Sequence, residues 1–269
     1  MKLTVQDSSE NPEEQVCKAA RNDYEKRFVG ETDFEKLMDE IGTAEYDEVP
    51  ENVWEQRDGR YANTVVRKMW TLLTHLVEHG HYGPFEHPHI TFEAKGVSRS
   101  LMAQITRHRV GITFDIQSMR YVGFEDADPT PGEAVVQIPE LEDPGICGRN
   151  GEFSDAYEDQ DDDYILEARR REYEAAMKRS FKSYRNLLEM GTAPENARMV
   201  LPIGTKVNMV FTLNARTLMH IADMRAAADA QWEIRELTEK VLEKAEEWMT
   251  MTFAYYNAEM KNRKNRLAP

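Results

Sequence analysis

Two stretches of this 269-residue chain alternate apolar and polar residues, and each is followed within three residues by one suited to start a helix. In residues 89–95, Ile90, Phe92 and Ala94 fall on one face, with Thr91, Glu93 and Lys95 on the other. In residues 206–213, Val207, Met209, Phe211 and Leu213 alternate against polar Asn208 and Thr212. A period of two marks a half-buried strand. Ser98 and Asn214 then offer N-caps, the first for a helix to about residue 108, the second for a helix that begins there. Helical spacing predicts further helices over 11–28, over 54–79 (Trp54, Val65, Met69, Leu72, Leu73, Leu76), from Tyr164 (Tyr173, Met177, Phe181, Tyr184, Leu188) and over 229–260 (Leu237, Val241, Ala245, Trp248). Residues 2–5 read as a short strand. There is no internal repeat, no regular βαβ alternation and no GxGxxG loop. The pattern predicts an α+β fold: a single mixed domain over 1–269 with a central, mostly antiparallel sheet and long helices.

Composition narrows what such a fold can do. Apolar residues make up 41% and aromatics 9%, which is enough for a full core and argues against global disorder. No apolar run is long enough to span a membrane, and MKLTVQDSSENPEEQ has no apolar segment of the secretory kind. The cytoplasm is the expected location. Cys17 and Cys147 cannot staple a chain this size, nor build a zinc site alone. The net charge is −15 and unevenly spread. Residues 98–121 carry +3 through Arg99, Arg107, Arg109 and Arg120 against Asp115; residues 196–225 carry +3 through Arg198, Lys206, Arg216 and Arg225 against Asp223. The remainder therefore holds −21, much of it in a Pro- and Gly-containing surface excursion at about 122–163, expected to be the least ordered part. With 13 Lys against 21 Arg, an acidic shell of this kind suits high salt, where self-repulsion is screened. No long basic stripe is present, so nucleic acid is not expected as a partner.

Three constellations carry chemistry. In RHRVGITFDIQSMRY (107–121) the consecutive Arg107, His108 and Arg109 cannot share one helix face. Such concentrated charge in an acidic chain points to bound phosphate, pyrophosphate or carboxylate, which Arg binds bidentately. Gln104 precedes Arg107 and His108 by three and four residues, on the same face. The plainer reading is Arg side chains favoured by a helix C-terminus and paired with surface acids. In HGHYGPFEHPH, His79, His81, His87 and His89 with Glu86 could ligate a metal, as in a hydrolase, although a Pro-containing loop would point them apart. In the third, residues 197–234, Asn214 stands at a helix start, Arg216 and His220 follow at i and i+4, and Arg225 lies near the helix end.

Taken together, HGHYGPFEH, QITRHR with QSMRY, ARMVLP, NARTLMHI and MRAAADAQWEI resemble the flavin-dependent thymidylate synthase family (the ThyX type), in that family's order and roughly its spacing. The resemblance implies reductive methylation of dUMP to dTMP, with methylenetetrahydrofolate as carbon donor, FAD as redox carrier and NADPH as reductant. It implies a homotetramer with sites between subunits. Carried over by position, Gln104, Arg107, Gln117, Ser118, Met119, Arg120, Arg198 and Arg225 resemble the dUMP set. Gly83, Glu86, Arg107, His108, Arg109, Val110, Asp115, Asn214, Arg216 and His220 resemble the FAD set. Arg225 takes the catalytic role of polarising the uracil near N3. No resident metal is implied.

The sequence also departs from the family's pattern. Eight residues instead of seven separate Arg109 from Ser118, so the family's glutamate has no fixed counterpart here, and Asp115 is the favoured one. Gly83 replaces a common Thr, Asp23 a common Ser and His220 a common Asn. Neither cysteine has the cationic surroundings of a reactive thiolate, so a route without a cysteine nucleophile is required. A non-catalytic flavin- or nucleotide-binding relative, or a hydrolase built on the histidine cluster, are the competing readings.

Overall fold

The computed structural model describes residues 1–42, 48–56, 59–143 and 160–261. Its sheet has four strands, β1 (Lys2–Ser8), β2 (His89–Ser98), β3 (Ile112–Ile116) and β4 (Lys206–Asn214), in the order β1-β2-β4-β3. Every neighbouring pair is antiparallel, as the paired positions show. Ser9 N–H reaches His89 C=O at 3.0 Å, Thr91 and Thr212 hydroxyls meet at 2.8 Å, and Gln117 and Asn214 N–H bond Asn208 and Gly111 C=O. The expected α+β class with a central antiparallel sheet is what the chain adopts.

The helices are α1 (Pro12–Asn22), α2 (Phe34–Asp39), α3 (Glu51–Gln56), α4 (Asn63–Glu78), α5 (Arg99–Ile105), α6 (Asp162–Glu189), α7 (Pro194–Ala197), α8 (Ala215–Arg225), α9 (Trp232–Trp248) and α10 (Thr250–Tyr255). Several differ from the expected spans for identifiable reasons. α1 ends at Asn22 rather than 28, because its buried stripe (Pro12, Val16, Cys17, Ala20) has no apolar continuation and Tyr24 points to solvent. The expected helix over 54–79 is two helices, parted at Gly59, whose φ of +72° no helical residue adopts. The expected helix over 229–260 breaks at Met249, where the Glu13 carboxylate accepts Thr252 N–H at 2.7 Å and so caps the start of α10. β3 falls within the RHRVGITFDIQSMRY block, for which no strand was expected; Ile112, Phe114 and Ile116 are its half-buried face.

The chain divides into two compact units. The first comprises Met1–Ala94, Ile105–Asp115 and Val210–Pro269. Phe92 and Phe211 stack across its strands with centroids 5.4 Å apart, and Trp70 meets Tyr255 edge-on at 5.9 Å between α4 and α10. Val65, Val66, Met69, Leu73, Leu76 and Val77 of α4 are all buried here. The second comprises Lys95–Gln104 and Ile116–Met209. There α6 holds residues 122–143 of the acidic excursion by side-chain bonds to backbone carbonyls. Arg185 donates to Glu125 C=O (2.7 Å) and Ala127 C=O (2.8 Å), Arg170 to Leu141 C=O (2.7 Å) and Tyr173 to Val136 C=O (3.0 Å). These contacts hold the segment by its backbone carbonyls. The expectations for residues 144–159, Cys147 among them, lie outside the described residues.

Candidate active site

In the first unit the RHR run lies past the end of α5, in a turn closed by His108 N–H to Ile105 C=O at 3.1 Å. A turn rather than a helix face lets the three side chains diverge: Arg107 and Arg109 are exposed and His108 is buried. Gly111 completes the turn with φ +66°; a Cβ there would strike the Thr217 hydroxyl and the Asn214 amide. The turn is docked onto the start of α8. Asn214 caps that helix, its Oδ1 accepting Thr217 N–H at 2.8 Å, its backbone N–H bonds Gly111 C=O, and Thr217 hydroxyl donates to Val110 C=O at 2.9 Å. The expected cap is thus present.

α8 then delivers three more candidates to the same cluster. Arg216 pairs with Glu86, which stands on the short 3-10 turn Gly83–Glu86. Gly83 has ordinary φ and open space beside it, so nothing local prevents the larger residue common at that position. His220 meets His108 edge-on with centroids 6.0 Å apart, and Arg225 Nε donates to His108 Nε2 at 3.2 Å. Burial first, then the positive charges of Arg225, His220 and Arg107, push the His108 imidazole down to about 4. It is neutral at working pH. Asp115, on β3, is exposed.

In the second unit Arg120 and Arg198 both meet Glu195. Its carboxylate lies 3.6 Å from Arg120 Nε, and its carbonyl accepts Arg198 Nε–H at 3.1 Å. Ser118 Oγ accepts Arg120 N–H at 3.2 Å, Met119 is buried, and Arg120 also lies over the Tyr121 ring at 5.4 Å. Gln104 is half-buried at the end of α5. Gln117 is committed to the sheet edge: its Oε1 accepts Asn208 N–H at 2.9 Å, so the side chain acts as one more rung of the ladder. One residue escaped the sequence reading. Arg99, at the start of α5, is half-buried; that burial and the charge of Arg198 lower its guanidinium below the usual value. The signal was its place in the basic window 98–121 immediately after the cap Ser98, whose Oγ accepts Leu101 N–H at 2.9 Å.

The other sequence features have different surroundings. His79 stacks on His75 with centroids 4.1 Å apart, and its Nδ1 lies 3.0 Å from His75 C=O; His81 stands 6.3 Å from the same ring. Among the described residues no three His, Cys, Asp or Glu side chains converge on a metal-sized point. Cys17 is buried in α1, and burial together with Glu13 and Glu14 pushes its thiol well up. It is not a thiolate nucleophile. A cavity of about 230 Å³ beside Glu13, Tyr61 and Trp248 contains none of the candidates.

The donor set of the first unit fits a flavin dinucleotide. Arg107 and Arg109 form no ion pair among the described residues, and Glu86 is the one carboxylate bound to an Arg of the cluster. Surplus guanidinium charge of this kind is what a pyrophosphate would neutralise.

Two Arg-rich clusters on an antiparallel α+β scaffold have the charge and donor geometry that suit phosphorylated ligands. More particularly, the chain belongs to the family described as Thymidylate synthase complementing protein, whose model matches residues 4–250. It is 48% identical over 272 aligned residues, and the whole of both chains, to the flavin-dependent thymidylate synthase of Haloarcula marismortui, and equally to that of Halobacterium salinarum. A flavin-dependent thymidylate synthase of Thermosipho africanus is 35% identical over 61% of this chain and 66% of its own. Among solved structures, the UMP/dUMP methylase PolB of Streptomyces cacaoi bound with 5-Br dUMP has the same fold, with a TM-score of 0.67 at 23% identity over 100% of this chain and 97% of that one.

Proposed function

We propose that this chain is a flavin-dependent thymidylate synthase that methylates dUMP reductively to dTMP, with methylenetetrahydrofolate as carbon donor and NADPH as reductant. The observation that carries the reading is the state of Arg225. It is half-buried and held by a neutral histidine rather than a carboxylate, so its charge is undiminished. Placed against the uracil N3 region, such a cation stabilises negative charge that develops as C5 becomes nucleophilic. The burial of Cys17 and the upward push on its thiol support a route without a cysteine nucleophile.

Bound FAD would supply the redox chemistry, accepting reducing equivalents from NADPH and passing them on. Arg107, Arg109 and Arg216 would neutralise its pyrophosphate, with Gly83, Glu86, His108, Val110, Asp115, Asn214 and His220 around it. Gln104, Arg107, Gln117, Ser118, Met119, Arg120, Arg198 and Arg225 would bind dUMP, Arg120 and Arg198 on its phosphate. Arg99 stands ready to join them. The full 1–269 chain would act as one catalytic domain, which the family match across both units supports. We place it in the cytoplasm as a homotetramer with sites between subunits and with no nucleic-acid partner. No helix among the described residues is long and apolar enough to cross a membrane.

The two salt-loving archaea whose enzymes are 48% identical to this chain support the reading of its acidic shell as a halophilic one. The test is dTMP formation in molar KCl with dUMP, methylenetetrahydrofolate, NADPH and added FAD. Turnover requiring all four is expected. Protein that binds FAD and dUMP yet makes no dTMP would be a binding relative, and protein that ignores FAD would overturn the flavin reading.

A further inference from the structure

We infer that His108 is a positioning residue for Arg225, orienting its guanidinium through imidazole Nε2 while leaving its positive charge intact. This deepens, and rests on, the assignment of Arg225 to the pyrimidine. The bond runs from Arg225 Nε to His108 Nε2 at 3.2 Å. An accepting Nε2 carries a lone pair, which puts the ring proton on Nδ1. With Nε engaged, the two terminal NH2 groups of the guanidinium remain as a planar fork for a ligand.

The chemistry explains why an imidazole suits this place. A carboxylate would hold the guanidinium more strongly but would cancel the charge that must act on the ring. An apolar residue would leave the Nε–H without a partner at a half-buried site. A neutral histidine orients without neutralising. Its surroundings maintain that state: among the described residues the charged or titratable groups bearing on the buried ring are Arg225 and His220 from α8 and Arg107 from its own turn, and none of these is an acid. The turn that presents the ring is itself locked at Gly111 by Asn214 and Thr217.

The experiment couples His108 to Arg225. His108→Phe and His108→Gln are made in the natural chain and in Arg225→Ala, and dTMP turnover is measured at saturating FAD, with flavin binding followed separately by absorbance titration. His108→Phe should lower turnover roughly ten- to a hundredfold, the worth of a hydrogen bond to a charged group. His108→Gln, which keeps an acceptor at similar reach, should restore most of it. In Arg225→Ala the Phe change should cost no further turnover, while any loss of flavin affinity should be the same in both backgrounds. Equal turnover losses in both backgrounds, or a Gln variant as poor as Phe, would overturn the inference. Selective 15N labelling of histidine reads the bond directly and needs neither substrate nor a variant. An Nδ1–H tautomer at neutral pH is expected, and an Nε2–H ring or an imidazolium would overturn it. Failure of the unmodified chain to make dTMP would instead refute the assigned reaction, leaving the 15N result to decide the His108–Arg225 bond.

Discussion

Replacing Arg225 by Ala separates a catalytic cation from a helix-end ornament. Arg225 is the last residue of α8, where a cation is also favoured by the helix dipole, so a purely structural account exists. That account predicts a loss of about 0.3–1 kcal/mol in stability and none in chemistry. The site geometry predicts more. Removing a preorganised charged donor from developing charge costs about 2.7–4 kcal/mol in the barrier, a hundred- to thousandfold in rate. The same change strips His108 Nε2 of its partner and removes the nearest positive charge from the ring. The imidazole should then titrate closer to its ordinary range, a shift visible by NMR. Arg225→Lys keeps the charge, but one ammonium cannot both reach Nε2 and present a planar fork, so rescue should be partial. The assay is steady-state dTMP formation with FAD absorbance as a control for the flavin set. A folded, yellow Arg225→Ala protein near the natural rate would remove Arg225 from the mechanism.

Other outcomes follow from the same features. Thermal stability should climb between low and molar KCl, because −21 outside the two basic windows repels itself when unscreened; a melting temperature flat or falling with salt would refute this. Replacing Cys17 and Cys147 by Ser should leave turnover largely intact, and its disappearance in a folded, flavin-binding variant would reveal a thiol nucleophile. Burial raises the Glu13 carboxyl to about 7 against bonds from Thr252 that lower it. The folded state therefore favours the protonated form, so this stabilisation is full below about pH 4.5 and is lost as pH rises through about 7. Glu13→Gln should remove that loss, of the order of 1–3 kcal/mol by pH 8, and flatten the stability profile over that window; an unchanged slope in urea melts would count against it.

What could be read in the linear chain was local and periodic. β2, β4, the caps Asn214 and Ser98, and the long stripe of α6 are each written in neighbouring residues, because period two, period 3.6 and a side-chain acceptor at a helix start act over a few positions. The basic windows and the family motifs were legible for the same reason. β3 was not, since five residues with a half-buried face gain their identity only from pairing with β4, and the loop-like RHR block concealed them. The break between α9 and α10 was not either, because the residue that caps α10 is Glu13, some 239 positions away.

At the site, residue types pointed to anions, while the pairing of those residues was a matter of tertiary structure alone. Arg107, His108 and Arg109 are consecutive letters, yet one is buried against α8 and two are exposed. That division comes from a turn closed by Gly111 against Asn214 and Thr217. Sequence determined that Arg225 is a cation. Only the fold decided that its partner, 117 positions earlier, is an imidazole kept neutral by burial and positive neighbours, since the protonation state of a side chain depends on what surrounds it in space.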